Sequence, residues 1–450
     1  MVNVQDTVPA KQRLVKSKRV LGVWSLVLMG LAFNGVMNIF TSYGFVTQAT
    51  DGHLAAGYVL ATVAMTVTAV SYISMSQVVN KGGSAYAYTQ KAFGSFAGFM
   101  TGWTILLDYL FNPMVCFLLF GIYLNAQFPS VPVWAFVLTS ILVTFVANLF
   151  GTKFVSRAGG LLIGTTFVLI FAFVFLGIAN SGSSLSDGLT SLIPTPGELP
   201  IVVSGVSLLA VSFAGFDVVS TMSEEAKNPR RTVPLATLIT VLLMGAGFVA
   251  VAFVGAMVEP GTEFANVDAA GLEIMEKVGG PILGAAFLIV YICSVMASAL
   301  VSQASAARII YTMGRDGVLP KKLFGTLVTR RQIPLGGFIV ASLIGLVALF
   351  VTIEQSFIML AFGTLVAFSV VNLATFKHFI FDLRKRGIGN IFRYGILPIL
   401  GFAMTLWLWS TLSGATFIFG LTWMAVGFAY LVYSTRFFRI SPPVIDFTDS

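Results

Sequence analysis

The chain has little charge. Of its 450 residues only 10% are Asp, Glu, Lys or Arg, whereas 57% are apolar, and a soluble globular protein averages about 25% charged residues. Apolar runs of about 20 residues recur along the whole length, and each is long enough to cross a bilayer. The composition therefore excludes a water-soluble fold and predicts an all-α polytopic membrane protein.

Cysteine and histidine are scarce as well. Cys116 and Cys293 both lie in apolar stretches and give neither a disulfide framework nor a metal spacing. His53 and His378 lie far apart near span ends, which argues against a metal site. No phosphate-cradling loop or triad-like grouping occurs either, so we predict no enzyme, no cofactor and no metal.

The hydropathy pattern predicts twelve spans. They cover residues 21–44, 54–79, 97–124, 131–150, 160–180, 201–222, 233–257, 281–312, 334–352, 356–378, 392–411 and 414–434. With both termini placed in the cytoplasm, 25 of the 26 Lys and Arg residues fall on the cytoplasmic side, and Lys277 alone falls outside. We therefore expect a multi-pass protein of the cell membrane. Its net charge of +8 is explained by basic residues in cytoplasmic loops and does not indicate a nucleic-acid partner.

Two predicted spans carry polar interruptions that contain glycine. The first has Asn34-Gly-Val-Met-Asn38 near its middle, and the sixth has Ser212-Phe-Ala-Gly-Phe-Asp217. In a bilayer, unwound helix is tolerated only where it lines protein or a cavity. Because these are the first helices of two five-helix halves, the matched interruptions indicate a transporter site on an inverted repeat. The alternative is that the glycines simply allow close helix packing.

Acidic side chains within the predicted spans support the interpretation that these spans form a transporter site. Asp108 lies in the middle of the third span and Asp217 lies within the sixth, with Glu224 and Glu225 just beyond its inner end. No Lys or Arg lies at that depth, so the acids leave room for a proton or an ammonium group. Structural hydrogen bonding between helices is the alternative role for either aspartate.

Aromatic rings could hold the apolar part of such a ligand. Tyr109 could donate a hydrogen bond or place its ring under an ammonium, and Phe213 and Phe216 could do the same beside the interruption. Asp108 and Tyr109 are adjacent on a helix, so they cannot both point squarely at one ligand. Core packing is the alternative for all three rings.

The longest outer loop, residues 260–280, is acidic. It holds Glu263, Asp268, Glu273 and Glu276 against one Lys. Such a mouth could concentrate cations, although a solvated loop that simply obeys the topology would have the same composition.

The chain resembles members of the amino acid–polyamine–organocation superfamily, and in particular the bacterial putrescine importers, from about Val20 to Tyr433. The motifs that carry the resemblance are Asp51-Gly-His53, Gly82-Gly-Ser-Ala-Tyr-Ala-Tyr88, Gly98-Phe-Met-Thr-Gly-Trp103, Leu106-Leu-Asp-Tyr-Leu-Phe111, Ser212-Phe-Ala-Gly-Phe-Asp217, Ser223-Glu-Glu225, Asn228-Pro229, Tyr311-Thr-Met-Gly-Arg-Asp316 and Gly363-Thr-Leu-Val-Ala-Phe368. The resemblance implies a LeuT-like fold of a 5+5 inverted repeat plus two C-terminal helices. It also implies that the substrate lies between broken helices 1 and 6 and helices 3, 8 and 10.

The implied organisation has five parts. They are a cytoplasmic basic tail (1–20), a first five-helix repeat (21–180), a second repeat (201–378), helices 11 and 12 (392–434) and a cytoplasmic tail (435–450). The predicted substrate-binding residues are Asn34, Gly35, Asn38, Asp108, Tyr109, Phe213, Gly215, Phe216, Asp217 and Ser294, and the predicted proton carriers are Asp217, Glu224 and Glu225.

The first span departs from the superfamily in an informative way. Amino-acid transporters of this superfamily usually have a Gly-Ser-Gly or Gly-Ala-Gly break whose freed amides hold the substrate carboxylate. Here Val36 and Met37 occupy that place. We therefore predict an importer of putrescine or a similar small diamine. The resemblance favours coupling to protons over coupling to sodium. An amino-acid or monoamine permease of the same fold is the alternative, and a sensor that does not transport is a third.

Overall fold

The computed structural model describes residues 21–34, 37–79, 84–149, 152–180, 185–315, 320–328 and 333–435, together with 437 and 439. Apart from two isolated β-bridges, helices are the only regular elements in these ranges. The prediction of an all-α chain is therefore confirmed.

The helices follow one another closely along the chain. In order they are α1 (Val23–Asn34), α2 (Asn38–Ala49), α3 (Leu54–Ser76), α4 (Ser84–Phe93), α5 (Ser95–Gln127), α6 (Val133–Leu149), α7 (Thr152–Asn180), α8 (Leu185–Leu192), α9 (Leu199–Val211), α10 (Val218–Thr221), α11 (Pro229–Val258), α12 (Ala270–Arg315), α13 (Lys321–Phe324), α14 (Leu335–Gly345), α15 (Ile353–Phe376), α16 (Ile388–Ile391), α17 (Leu397–Ser410) and α18 (Gly414–Ser434). Short 3-10 segments cover Ser223–Glu225, Val267–Ala269 and Leu346–Leu349, and π-helical segments cover Lys377–Asp382 and Phe392–Ile396.

Seven helices in the described part of the chain are long and apolar enough to cross a membrane. They are Leu54–Ser76, Ser95–Gln127, Pro229–Val258, Val267–Ala307, Ile353–Asp382, Ile388–Ser410 and Gly414–Ser434. Shorter apolar helices cover Val133–Leu149, Gly164–Asn180, Leu199–Val211 and Leu335–Leu349. The chain is a multi-pass membrane protein, and the count of twelve spans stays a prediction.

The predicted interruption of the sixth span is confirmed. Helix α9 ends at Val211, residues 212–217 form consecutive turns, and α10 begins at Val218. Gly215 has φ +131°, a conformation that a residue with a side chain rarely adopts. The glycine therefore permits the unwound stretch, and the interruption also explains why this span falls below the length of a continuous membrane helix.

The first span is divided at the predicted place. Helix α1 ends at Asn34 and α2 starts at Asn38, with Met37 in a turn, while residues 35 and 36 lie outside the described residues. The two divided spans pack closely. A Cβ at Gly30 would lie 2.8 Å from Val219 Cγ2 and 3.1 Å from the Gly215 carbonyl oxygen. Gly30 thus lets α1 reach the unwound segment, as close helix packing requires.

Helix α5 lies at the centre of the molecule. It packs against α4, α6, α12 and α15, and its buried residues include Leu107, Leu110 and Met114. Four helices lie outside the predicted spans: α4, between the second and third spans, α8, before α9, and the one-turn helices α13 and α16. Helix α4 packs on both α5 and α15. The side chains of α5 are therefore presented to the middle of the helix assembly.

Candidate substrate site

Asp108 of α5 faces helix α15. Its Oδ2 atom accepts a hydrogen bond from Thr364 Oγ1 at 3.2 Å, and its Oδ1 atom is buried without a hydrogen bond from any described residue. Gly363 adjoins the same carboxylate, since a Cβ there would lie 3.0 Å from Oδ1. Buried polar atoms in native proteins almost always have a partner. The unpaired Oδ1 is therefore a position for a proton or for a ligand that donates a hydrogen bond.

Tyr109 faces a different neighbour from Asp108. Its ring meets Phe33 of α1 edge to face, with 6.1 Å between the ring centroids. The adjacent residues thus point to two sides of α5, one towards α1 and one towards α15, as helix geometry predicts. Both nevertheless interact electrostatically with Asp217.

Asp217 is the last residue of the unwound segment of the sixth span. Its Oδ1 atom accepts a hydrogen bond from the backbone N–H of Gly215 at 2.9 Å. The Asp217 carbonyl accepts hydrogen bonds from Ser220 Oγ at 2.6 Å and from Ser84 Oγ at 3.3 Å. The carboxylate is therefore fixed by its own chain, and the segment is tied to the first residue of α4.

The other amides of the unwound segment are also satisfied internally. The N–H groups of Ser212, Phe213 and Ala214 donate to the carbonyls three residues earlier, at 3.0 to 3.1 Å. The Phe216 N–H donates to the Phe213 carbonyl at 3.5 Å. With the bond from Gly215 to Asp217, every amide from 212 to 216 has an acceptor. In this conformation the segment offers none of these amides to a substrate carboxylate.

Four aromatic rings pack together beside the aspartates. Phe216 stacks on Phe368 of α15 at 5.3 Å between centroids and meets Tyr72 of α3 edge to face at 5.4 Å. Tyr72 also contacts Phe368 and Tyr88 at 6.0 Å each. The hydroxyl of Tyr72 is buried, has no hydrogen-bond partner among the described residues, and interacts electrostatically with both Asp217 and Asp108. Rings and carboxylates therefore border one region between α3, α5, α15 and the unwound segment.

Neither carboxylate forms an ion pair with a basic residue in the part of the chain that the structure describes. The ion pairs formed by the described residues all lie elsewhere, at Glu198, Glu259, Glu273 and Asp382. Two acidic groups without a cation, next to aromatic rings, suit a ligand with ammonium groups.

Phe213 lies apart from this region. Its ring is fully buried and packs edge to face on Phe248 of α11, 5.2 Å away. Phe248 in turn contacts Tyr58 of α3. Phe213 and Phe216 therefore contact different neighbours, on α11 and α15, with the positive φ of Gly215 between them, and the role of Phe213 in substrate binding stays a prediction.

The remaining predicted residues fall into two groups. Asn38 is half-buried at the start of α2, and Ser294 Oγ on α12 is buried without a partner among the described residues. Ser298, one turn further along, donates to the Phe33 carbonyl at 3.2 Å, which places this face of α12 against the end of α1. Gly35 and the side chains of Asn34 and Glu224 lie outside the described residues.

Glu225 lies after α10, where the chain contacts the residue just before α1. It lies in the 3-10 segment after α10 and is half-buried. Its carbonyl accepts from the Leu21 N–H at 2.9 Å, and the Lys227 N–H donates to the Leu21 carbonyl at 3.0 Å. Residue 21, just before α1, is thereby bridged to Ala226.

Tyr72, Thr364 and Phe368 were missed as candidate site residues. Tyr72 sits in an apolar helix without a nearby charge, so composition gave no signal. Thr364 and Phe368 belong to the Gly363-Thr-Leu-Val-Ala-Phe368 motif, which supported the resemblance but was assigned no role. That motif was the available signal.

Comparisons with known proteins identify the family of this multi-pass membrane protein. The model of the amino acid permease family matches residues 25–439. The chain belongs to this family. It is 35% identical to the low-affinity putrescine importer PlaP of Escherichia coli strain K12, over 95% of this chain and 96% of that protein.

Two other relatives are more distant. The branched-chain amino acid permease BcaP of Lactococcus lactis subsp. cremoris is 28% identical, over 89% of this chain and 91% of its own length. The methylthioribose transporter of Bacillus subtilis is 25% identical, over 96% of both chains. The three relatives are thus named for an amine, for amino acids and for a sugar derivative.

Proposed function

We propose that this protein is a secondary active importer of putrescine or a similar small diamine in the cell membrane. The observation that carries the proposal is the pair Asp108 and Asp217, two carboxylates that form no ion pair with a described basic residue and that lie near the rings of Phe216, Tyr72 and Tyr109. The 35% identity to a putrescine importer over nearly the whole chain supports the same substrate.

Each part of a diamine has a counterpart in this site. One ammonium group would donate to Asp108 Oδ1, which has no other partner among the described residues. The second would lie near Asp217, and the tetramethylene chain would pack on Phe216 and Tyr109. Hydrogen bonds to charged groups contribute about 1.5 to 3 kcal/mol each, so two carboxylates favour a diamine over a monoamine.

The backbone supports an amine rather than an amino acid. A substrate α-carboxylate needs free N–H donors, but the amides from Ser212 to Phe216 already have internal acceptors. Asp217 itself occupies the Gly215 amide, which a substrate carboxylate would otherwise use.

The proposed transport cycle is alternating access. Twelve spans form two five-helix repeats, at 21–180 and 201–378, followed by two helices at 392–434, with both termini in the cytoplasm. The bundle of spans 1, 2, 6 and 7 rocks against the remaining helices around the site. Proton movement through Asp217, Glu224 and Glu225 drives uptake, and the matched interruptions of the first and sixth spans support this inverted-repeat arrangement.

The test is uptake of labelled putrescine into proteoliposomes that contain the purified protein. An inward proton gradient should drive accumulation, and an inward sodium gradient of equal size should not. Unlabelled putrescine should compete, whereas leucine and isoleucine should not. Uptake of a branched-chain amino acid in place of putrescine would overturn the substrate assignment.

Variants test the role of each carboxylate. Asp108→Asn and Asp217→Asn should each weaken putrescine binding about tenfold or more, because each removes one charged acceptor. Butylamine, with a single ammonium, should lose affinity in only one of the two variants. Glu354→Gln, at an exposed carboxylate near the start of α15, is the matched control. Equal losses for butylamine in both variants would contradict a site for two ammonium groups.

A further inference from the structure

A short turn joins two of the helices that are long and apolar enough to cross a membrane. The first covers Ile353–Asp382 and the second covers Ile388–Ser410, so only residues 383–387 separate them. A turn of five residues between two membrane helices cannot extend far from the bilayer and lies at the level of the lipid headgroups. The proposed transport cycle gives this turn no role.

The turn is strongly basic. It contains Arg384, Lys385 and Arg386 in succession, and all three are exposed. No ion pair formed by the described residues includes any of them. Asp382, the nearest acidic residue in the sequence, pairs instead with Lys377, with 3.1 Å between Oδ1 and Nζ. The turn therefore keeps its positive charge.

Backbone and ring contacts fix the shape of the turn. Arg384 has φ +49°, a conformation that residues with a side chain seldom adopt, and the Lys385 N–H donates to the Phe379 carbonyl at 3.0 Å. The Lys385 ammonium lies 5.1 Å from the ring centroid of Phe379 and 5.4 Å from that of Tyr394, and these two rings stack 4.1 Å apart. Lys385 is thus folded back onto the protein, whereas the arginines on either side of it are available to an external anion.

Large apolar side chains on both sides of the turn are exposed as well. Phe381, just before it, is 63% exposed, and Ile388, directly after it, is 91% exposed. Phe392 and Ile396 follow Ile388 at intervals of four residues and are also exposed, so they extend one apolar row along the next helix. Apolar side chains beside unpaired basic groups suit the boundary between lipid headgroups and acyl chains.

One kind of ligand accounts for both features. A soluble anion would pair with the arginines but would leave the apolar row uncovered. A zwitterionic phospholipid would place its own ammonium group among the basic side chains. A phospholipid with a net negative charge avoids both difficulties, because its phosphate can accept from guanidinium groups while its acyl chains cover the apolar row.

We propose that this surface, at the turn between α15 and α16, is a binding site for an anionic phospholipid. Arg384 and Arg386 donate hydrogen bonds to the phosphate, and the acyl chains lie along Ile388, Phe392 and Ile396. The site is separate from the aspartate pair, and the proposal does not depend on which substrate the protein transports.

The experiment measures lipid binding to the purified full-length protein by native mass spectrometry. The protein is titrated with phosphatidylglycerol or with phosphatidylcholine of the same acyl chains, and the affinity of the tightest-bound lipid is compared. Phosphatidylglycerol should bind at least tenfold more tightly. Arg384→Gln together with Arg386→Gln should weaken phosphatidylglycerol about thirtyfold, or about fivefold for each arginine, and should leave phosphatidylcholine unchanged. Equal affinities of the unmodified protein for the two lipids would overturn the proposal.

Matched controls separate this surface from charge and apolarity in general. Lys321→Gln together with Lys322→Gln removes two exposed basic residues from α13 and should leave the affinity for phosphatidylglycerol unchanged. An equal loss in this variant would mean that only total charge matters, which contradicts a site at the turn.

The apolar row has its own test. Ile388→Ser should weaken the binding of phosphatidylglycerol, whereas Phe350→Ser, at a residue that is 84% exposed elsewhere, should not. Inorganic phosphate at millimolar concentration should fail to displace the lipid. Displacement by phosphate, or full binding by Ile388→Ser, would show that the turn binds simple anions and is not a lipid site.

Discussion

At the scale of single residues, Gly363 sets the space available to the Asp108 carboxylate. A Cβ at this position would lie 3.0 Å from Asp108 Oδ1 and 3.1 Å from the Thr104 carbonyl oxygen, so one of these groups must shift. The backbone of α5 yields less readily than a side chain. We therefore expect Gly363→Ala to displace the carboxylate and to raise the KM for putrescine by about tenfold, which corresponds to about 1.4 kcal/mol.

The control for this prediction is another helical glycine. A Cβ at Gly389 of α16 would meet nothing within 4 Å, so Gly389→Ala should leave the KM unchanged. Uptake kinetics of both variants in proteoliposomes measure the difference. An unchanged KM in Gly363→Ala would show that Asp108 does not contact the substrate.

Glu198, just before α9, gives a prediction about pH. The Thr195 N–H donates to its Oε2 atom at 2.7 Å, and this hydrogen bond, with the neighbouring His53, holds the pKa of the Glu198 carboxyl below its ordinary value of 4.5. A lowered pKa in the folded state stabilises the protein above pH 4.5, and this contribution disappears as the pH falls through the lowered value.

The expected result is a difference between two melting profiles. The thermal midpoint of the unmodified protein should fall more steeply below pH 4.5 than that of Glu198→Gln, since glutamine keeps an acceptor but does not titrate. Glu263→Gln, at an exposed carboxylate in the loop after α11, should keep the steeper profile. Identical slopes for Glu198→Gln and the unmodified protein would refute a stabilising role for this charge.

At the scale of elements, the interruptions of the first and sixth spans could be predicted because each breaks the continuous run of apolar residues that a membrane helix needs. Glycine and polar residues inside an apolar run stand out in the sequence, and residues 212–217 are indeed unwound. Helix α4 could not be predicted in the same way, since its place depends on α5 and α15, which are distant in the chain. The same reason hid the role of Thr364: its motif was visible in the sequence, but Asp108, the residue that it contacts, lies 256 positions away.

Helices α5 and α18 are joined by a reciprocal pair of tryptophans. Trp103 Nε1 donates to the Trp423 carbonyl at 3.0 Å, Trp423 Nε1 donates to the Trp103 carbonyl at 2.9 Å, and the rings stack 5.2 Å apart. Phenylalanine keeps most of the ring contact but lacks the donor. Trp423→Phe should therefore lower the free energy of unfolding by about 1 kcal/mol and leave the KM for putrescine unchanged.

Chemical denaturation in detergent measures this loss, and Trp24→Phe is the control. Trp24 is 66% exposed in the structure, so its replacement should cost nothing measurable. A loss of the same size in both variants would mean that the indole donors of the pair do not stabilise the protein.

At the scale of the whole molecule, two contacts at or near α10 should respond differently to the proposed transport cycle. The bridge between Leu21 and Ala226 ties the start of α1 to the segment after α10, within the proposed moving bundle. The hydrogen bond from Ser220 Oγ to Ser84 Oγ, at 2.9 Å, instead ties α10 to α4, which packs on α5 and α15. If the bundle rocks against the remaining helices, the contact between Leu21 and Ala226 persists through the cycle, and the hydrogen bond between Ser220 and Ser84 must break.

Disulfide cross-links can test which of these two contacts must break during transport. In a background with Cys116→Ser and Cys293→Ser, oxidation of the Ser84→Cys, Ser220→Cys pair should reduce putrescine uptake to the level of empty liposomes, and a reductant should restore it. The reduced protein is its own control for the two substitutions. Oxidation of the Leu21→Cys, Ala226→Cys pair should leave uptake unchanged, because both residues move together. Full uptake by a protein whose 84–220 cross-link has been verified by mass spectrometry would mean that α10 and α4 never separate, and rocking of this bundle would then be the wrong description of transport.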